Sequence, residues 1–153
     1  MRPMTTIQGL ALTAALLCGA DALAAKTCKL AVEGNDMMKF NVTELKVAPD
    51  CTEVELTLKH TGQLAVQTMG HNVVITKTAD FMPIANAGLS AGVAKDYVPA
   101  GDKRVIAHTK LVGGGQSTAV KFPTSLLTKG GDYTFFCSFP GHYGLMKGKL
   151  IFQ

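Results

Sequence analysis

Apolar and polar residues alternate along short stretches of this chain, as in β-strands that have one face on a core. Val54, Leu56 and Leu58 are apolar, and the residues between them are polar. This alternation predicts a half-buried strand. Eight such segments, separated by turn residues, are predicted to be strands: 28–32, 42–47, 53–60, 73–77, 105–112, 118–122, 133–138 and 149–152. The pattern predicts an all-β fold, an eight-stranded sandwich or Greek-key barrel.

One segment departs from this pattern. Residues 78–98 are too long for a hairpin loop and are rich in Ala, Gly, Met and Leu. They predict a short, irregular helix packed on the outside of the barrel, and we call this segment the flap. Pro83 and Pro99 argue against a long regular helix, because proline lacks the amide N–H and clashes with the preceding turn.

The first 25 residues predict a secretory signal peptide rather than a part of the fold. Arg2 gives a positive start, residues 9–17 form a short apolar run, and Ala22-Leu23-Ala24 has the small-x-small cleavage pattern. Cleavage is expected after residue 24 or 25. No later stretch reaches the ~18 apolar residues of a membrane helix. We therefore expect residues 26–153 to form one exported, soluble domain without membrane insertion.

Export changes the interpretation of the cysteines. Cys28, Cys51 and Cys137 remain after the leader. In an oxidising compartment two are expected to pair, and the third to have a function of its own or a partner chain. Cys28 and Cys51 lie at the edges of two predicted strands, and closing the loop between them would stabilise the fold by about 3 kcal/mol. Cys137 would then stay reduced, and metal binding is the simplest way to protect it.

Charge adds little to this picture. The formal net charge is +4, and it is unchanged by loss of the leader, which removes Arg2 and Asp21 together. The basic residues are spread along the chain without a basic block, which favours a mixed solvated surface over nucleic-acid binding. A mildly basic surface favours an acidic protein partner.

The strongest chemical signal is the segment 137–146, which we call the ligand loop. It places a thiolate (Cys137), an imidazole (His142) and a thioether (Met146) around a Pro-Gly turn, and His71 offers a second imidazole. These are the ligands of an electron-transfer copper site. Taken singly, each has an ordinary interpretation as a buried cysteine, turn histidine or core methionine. Together they favour a metal site, although zinc also accepts thiolate and imidazole ligands.

The residues beside His71 extend the predicted site. Gly70 allows a close backbone approach, so its carbonyl is expected to be a weak axial contact with the metal. Asn72 is expected to hydrogen-bond the backbone of the ligand loop. Two further histidines are interpreted differently: His60 as a core histidine and His108 as a strand or surface residue. Neither is included in the site.

Three functions compete on these residues. The favoured one is a one-electron carrier, because the site offers no open position for a substrate. The alternative is a copper-buffering or copper-delivery protein, which predicts an exchangeable, solvent-open site. An enzyme with a Cys137–His142 nucleophile pair would leave His71 and Met146 unexplained, so no enzymatic activity is expected.

Several motifs resemble those of the azurins, the small periplasmic blue-copper proteins of bacteria. The motifs are Gly70-His-Asn72, Leu58-Lys-His-Thr-Gly62, Arg104-Val-Ile-Ala-His-Thr-Lys110, Cys137-Ser-Phe-Pro-Gly-His142 and Leu145-Met-Lys-Gly148. The resemblance covers essentially the whole chain after the leader. It implies an eight-stranded Greek-key cupredoxin barrel with an external helical flap, and a disulfide between Cys28 and Cys51.

The resemblance also implies the site and its use. One copper ion would be held by His71, Cys137 and His142 in a trigonal plane, with Met146 and the Gly70 carbonyl axial and with Asn72 and Phe139 supporting them. A docking patch would surround the edge of His142, and its residues are Met38, Leu64, Met69, Phe139, Pro140, Gly141 and Leu145. Such a protein would be a monomer in solution. It would dock transiently with c-type cytochromes, reductases or dehydrogenases in the periplasm.

Overall fold

The computed structural model describes residues 25–153, and within that range the chain forms nine strands and two α-helices. The strands are β1 (Thr27–Asn35), β2 (Lys39–Phe40), β3 (Glu44–Val47), β4 (Glu53–His60), β5 (Val74–Lys77), β6 (Val105–His108), β7 (Ser117–Pro123), β8 (Tyr133–Phe136) and β9 (Lys147–Phe152). The helices are α1 (Val66–Met69) and α2 (Phe81–Ala91). Apart from residue 25, the predicted leader lies outside the described residues.

The strands form two sheets. The four-stranded sheet has the order β2-β1-β4-β7, and the five-stranded sheet has the order β3-β9-β8-β5-β6. Both sheets are mixed, because β1 pairs in parallel with β4 and β3 pairs in parallel with β9. The other strand pairs are antiparallel. The predicted all-β, two-sheet architecture is confirmed.

The core lies between the two sheets, as the alternating pattern predicts. Val54, Leu56 and Leu58 of β4 are fully buried, and they belong to one apolar cluster with Phe135 of β8 and Leu150 of β9. Each such side chain stabilises the fold by about 1.5–3 kcal/mol relative to an exposed position. The sandwich is therefore a rigid support for the loops at its ends.

The eight predicted strand segments all correspond to strands, although only the segment 53–60 has the predicted bounds. The segment 133–138, for example, ends at Phe136, before Cys137. The ninth strand, β2, has only two residues, too few to carry a recognisable alternation. The predicted segment 42–47 begins later, at Glu44. Asn41, just before it, pairs with Glu33 of β1: its Oδ1 accepts the Glu33 N–H at 2.8 Å and its own N–H donates to the Glu33 carbonyl at 3.0 Å. The predicted segment 105–112 ends at His108, and Val112 instead forms a separate bridge with His71.

The flap contains the short helix that was predicted. Helix α2 has eleven residues and lies between two 3-10 turns. Pro83 is its third residue, within the first turn, where a missing N–H breaks no helical hydrogen bond. Ile84 and Phe81 pack with Val74 and Phe136 on the outer face of the five-stranded sheet. The four-residue helix α1 was not predicted.

The cysteine pairing implied by the resemblance is present. Cys28 and Cys51 form a disulfide with a Cα–Cα distance of 5.7 Å, and Cys137 is free and buried.

In the described part of the chain, no helix combines the length and apolarity needed to cross a membrane.

Candidate metal centre

The predicted ligand residues come from loops at one end of the sandwich. His71 lies between α1 and β5, Cys137 follows β8, and Met146 precedes β9. Because β8 and β9 are antiparallel neighbours, the ligand loop returns to its start, and the Cys137 N–H donates to the Met146 carbonyl at 2.9 Å. Gly141, with φ of +82°, turns the chain just before His142, in a conformation that favours glycine.

The donor atoms of His71, Cys137 and His142 lie within 4.8 Å of one another. The Cys137 Sγ is 3.9 Å from the His71 Nδ1 and 3.7 Å from the His142 Nδ1. Such separations suit three donors that each lie about 2.0–2.3 Å from one ion. His71 and Cys137 have no exposed surface, and His142 is 3 % exposed. The three side chains could therefore hold a metal ion that is shielded from water.

The imidazole of His71 is oriented by a backbone carbonyl. Its Nε2 lies 2.9 Å from the Asn35 carbonyl oxygen, so Nε2–H donates and the lone pair of Nδ1 faces Cys137. Burial lowers the pKa of His71 below its usual range, although the hydrogen bond to Asn35 acts in the opposite direction. His71 is thus a neutral donor at neutral pH. A metal-binding histidine needs this arrangement, with one nitrogen bonded and the other free.

The environments of Cys137 and His142 are also those of metal ligands. Burial raises the pKa of the Cys137 thiol to about 12, against the smaller effect of the Asn72 and Phe139 backbone N–H groups. Burial lowers the pKa of His142 to about 4, with smaller contributions from His71 and from the imidazole of His60. A thiolate at this position therefore needs a cation beside it. Two neutral imidazoles and one such thiol are a soft donor set that suits copper.

Met146 and Gly70 lie beside these three donors. Met146 is fully buried, and the Gly70 carbonyl oxygen is 3.8 Å from the Cys137 Sγ. Gly34 of β1 makes room for two of the side chains. A Cβ at this position would lie 2.7 Å from the His71 Cδ2 and 3.3 Å from the Met146 Cε. The thioether and the His71 ring therefore share one narrow space against Gly34.

Asn72 contacts the ligand loop next to Cys137, and Phe139 contacts His142. The Asn72 Oδ1 accepts the Ser138 N–H at 2.8 Å, and its Nδ2 donates to the Ser138 Oγ at 2.8 Å. Asn72 therefore ties the residue after His71 to the residue after Cys137. The Phe139 ring is tilted against the His142 ring, with a centroid distance of 4.5 Å, and limits its movement.

Sequence reasoning missed part of this environment. His60 is buried and bonded through both nitrogens, to the Met69 carbonyl and the Gly62 N–H. Its burial confirms the predicted core histidine, and its ring also stacks on that of His71, with a centroid distance of 4.2 Å. The alternation in β4 predicts its burial and gives no sign of this partner. His108 is exposed in β6 and takes no part in the cluster.

The seven residues of the docking patch all retain exposed surface. Leu145 is 69 % exposed and Leu64 is 41 % exposed. Pro140 and Gly141 are exposed, whereas Met38, Met69 and Phe139 are half-buried. Such apolar exposure on a small protein is typical of interaction surfaces when the residues are contiguous.

A buried thiol and two imidazoles at the end of a two-sheet β-sandwich define a cupredoxin, a small copper-binding electron carrier. The family model for copper-binding proteins of the plastocyanin/azurin family matches residues 26–153, and the chain belongs to this family. It is therefore an electron-transfer protein rather than an enzyme, with copper as its cofactor.

Known relatives are similar over most of their length. The chain is 51 % identical to azurin-2 of Alcaligenes xylosoxydans xylosoxydans over 123 residues, which are 80 % of this chain and 95 % of that protein. It is 49 % identical to the azurin of Bordetella pertussis over 142 residues, 93 % of each chain. Among solved structures, the azurin Az-iso2 of Methylomonas sp. strain J superposes with a TM-score of 0.80 at 40 % identity, over 82 % of this chain and 98 % of that one.

Proposed function

We propose that His71, Cys137 and His142 are the strong ligands of one copper ion, with Met146 and the Gly70 carbonyl as weak axial contacts. The observation that carries this assignment is the meeting of three buried donor atoms within 4.8 Å of one another. When bound, copper supplies a one-electron Cu(I)/Cu(II) couple. The protein carries single electrons between redox partners through this couple.

The surrounding residues keep the donors in place. The Asn35 carbonyl fixes the His71 ring, and Asn72 fixes the backbone of Ser138 beside Cys137. Burial excludes water from the donors. A donor set that does not rearrange when its charge changes allows fast electron exchange. Of the three ligands, His142 alone retains exposed surface, 3 %, so we assign the electron's entry and exit to its edge.

The partners follow from the docking patch. An apolar surface around the His142 edge suits brief contacts with c-type cytochromes, reductases or dehydrogenases, over an interface below about 1,200 Å². The protein would act as a monomer, because a stable dimer through this patch would cover the route of the electron.

The location follows from the N-terminal pattern. Residues 1–25 would direct export to the periplasm and be removed after residue 24 or 25. The mature protein would then be the single domain 26–153, the same residues that the family model matches. The Cys28–Cys51 disulfide fits an oxidising compartment.

A copper titration tests the assignment. Cu(II) is added to the reduced, metal-free domain, visible absorption is recorded, and ascorbate is added at the end. An intense thiolate-to-copper band that saturates at one equivalent and bleaches reversibly is expected. If metal-free protein with a free Cys137 thiol stays colourless, the copper assignment fails. Rapid loss of Cu(I) to a modest chelator would instead favour copper delivery.

Replacing Met146 with leucine is expected to keep the colour and raise the reduction potential. A weak sulfur donor stabilises Cu(II) more than an apolar side chain does, so its loss favours Cu(I). Protein-film voltammetry measures the potential. Met82→Leu is the matched control, because Met82 is 45 % exposed on the flap helix. Equal potentials in the two variants would show that Met146 is not an axial contact.

Placing a charge on the docking patch is expected to slow electron exchange without changing the potential. In Leu64→Glu, stopped-flow exchange with a c-type cytochrome should slow by about tenfold, equivalent to about 1.4 kcal/mol of docking energy. Leu126→Glu is the control, because Leu126 is 53 % exposed and lies at the end of the sheet opposite His60. It comes three residues after Pro123, which pairs with Glu53, the first residue of β4. Equal rates in both variants would place docking elsewhere.

A further inference from the structure

The flap reaches the metal centre through one corner, formed by Asp96 and Tyr97. Both residues have left-handed backbone conformations, with φ of +55° and +53°, which residues other than glycine rarely adopt. Across residues 25–153 the one other such residue is Met38. The corner is held by the flap itself: the Asp96 N–H donates to the Val93 carbonyl and the Tyr97 N–H to the Gly92 carbonyl, each at 3.0 Å.

The carbonyl of Asp96 joins the two ligand segments. Its oxygen accepts hydrogen bonds from the Asn72 Nδ2 at 2.7 Å and from the Ser138 Oγ at 3.3 Å. Asn72 directly follows the ligand His71, and Ser138 directly follows the ligand Cys137. One backbone atom of the flap therefore contacts the neighbours of both ligands.

The carboxylate of Asp96 supports a third segment. Its Oδ1 accepts the Leu111 N–H at 2.9 Å. The next residue, Val112, exchanges two backbone hydrogen bonds with His71, each 2.9 Å long. The Leu111 side chain also lies against Gly70, so close that a Cβ on Gly70 would be 2.9 Å from it. The carboxylate thus fixes the segment against which Gly70 and His71 rest.

We infer that Asp96 is a positioning residue for the metal centre. Asp96 sets the spacing of His71 and Cys137 through its backbone carbonyl and its carboxylate. Aspartate suits both tasks, because its short side chain tolerates the left-handed conformation and supplies an acceptor. All of these contacts join protein atoms, so each of them can be tested by substitution. The inference rests on the proposed function only for the identity of the metal.

Three substitutions separate the two contacts. Asp96→Asn retains an acceptor oxygen and tolerates the left-handed conformation. Asp96→Gly retains the conformation but loses the acceptor, and Asp96→Ala loses both. The matched control is Asp102→Ala, because the Asp102 carboxylate also accepts a backbone N–H, that of Arg104 at 3.0 Å. Its side-chain hydrogen bonds are to the Arg104 guanidinium.

The first measurement is amide hydrogen exchange by NMR on the metal-free mature domain with its disulfide intact. In Asp96→Ala, the Leu111 and Ser138 amides should exchange at least about tenfold faster than in Asp102→Ala, because their acceptors are lost or displaced. Asp96→Gly should expose Leu111 but leave Ser138 protected. Asp96→Asn should resemble the parent.

The second measurement is copper binding, by competition with a chelator, and the reduction potential. Copper affinity should fall about 10- to 100-fold in Asp96→Ala, as for other residues that support metal ligands, and Asp96→Asn should restore it. Unchanged exchange and affinity in both Asp96→Ala and Asp96→Gly would overturn the inference. If Asp96→Ala does not fold, the test rests on Asp96→Gly: its Leu111 amide must exchange faster than in Asp102→Ala for the inference to stand. A parent protein that binds no copper would overturn the proposed function, whereas the exchange result stands apart from it.

Discussion

Replacing Cys137 with serine will abolish the intense blue colour and leave the fold intact. The colour requires charge transfer from a thiolate, and a serine hydroxyl is a hard, protonated donor that cannot supply it. The fold should survive, because the backbone N–H groups of Asn72 and Phe139 that face the sulfur can also donate to a hydroxyl oxygen. The expected loss in the free energy of unfolding is no more than about 1–3 kcal/mol.

The measurement combines a visible spectrum during copper titration with a chemical denaturation curve of the metal-free protein. The spectrum reports the ligand, and the denaturation curve reports the fold. Ser138→Ala is a useful comparison, because it changes the neighbouring residue and keeps the thiol. A serine variant that turned as blue as the parent would remove Cys137 from the proposed ligands.

Replacing Gly34 with alanine is expected to disturb the metal centre from outside the ligand loop. The added methyl group would lie 2.7 Å from the His71 Cδ2 and 3.3 Å from the Met146 Cε. The His71 ring cannot retreat freely, because His60 stacks on it. Copper affinity should fall about 10- to 100-fold, and the free energy of unfolding should fall by about 1–3 kcal/mol through overpacking.

Gly144→Ala is the matched control for this substitution. Gly144 lies in the ligand loop itself, yet a Cβ there would meet nothing within 4 Å. Chelator competition and denaturation on both variants separate a steric effect at His71 from a general sensitivity to alanine. Equal copper affinities in the two variants would mean that the His71 and Met146 side chains move aside at little cost.

Much of the fold follows from local sequence patterns. The alternation around Leu56 predicts β4 with its inward face, because one side of a strand must be buried. The ligand loop can also be predicted from the sequence, since Cys137, His142 and Met146 lie within ten residues. Their thiolate, imidazole and thioether groups together suit few metals. His71 is distant along the chain, and the need of a copper site for a second imidazole connects it with the ligand loop.

The contacts around the metal centre that could not be predicted from the sequence involve backbone atoms or packing between distant segments. The Asn35 carbonyl that orients His71 and the Asp96 carbonyl beside Asn72 carry no side-chain signature, since every residue has a carbonyl. The stacking of His60 on His71 arises because β4 ends where the His71 loop begins, and only the folded sheet brings them together. Strand β2 is too short to show a period.

The register of β1 places the start of the described domain far from the metal centre, which determines the orientation of the protein when it is attached to a surface through that end. Thr27 pairs with Glu53 and Gly34 pairs with His60, so the start of β1 lies about 23 Å from the metal end, at about 3.3 Å per residue. Strand β9 leaves Met146 and ends at Phe152, which pairs with Val47, so the other chain end also points away. A linker at either terminus, to an electrode or to a second redox domain, would therefore leave the His142 edge facing outward.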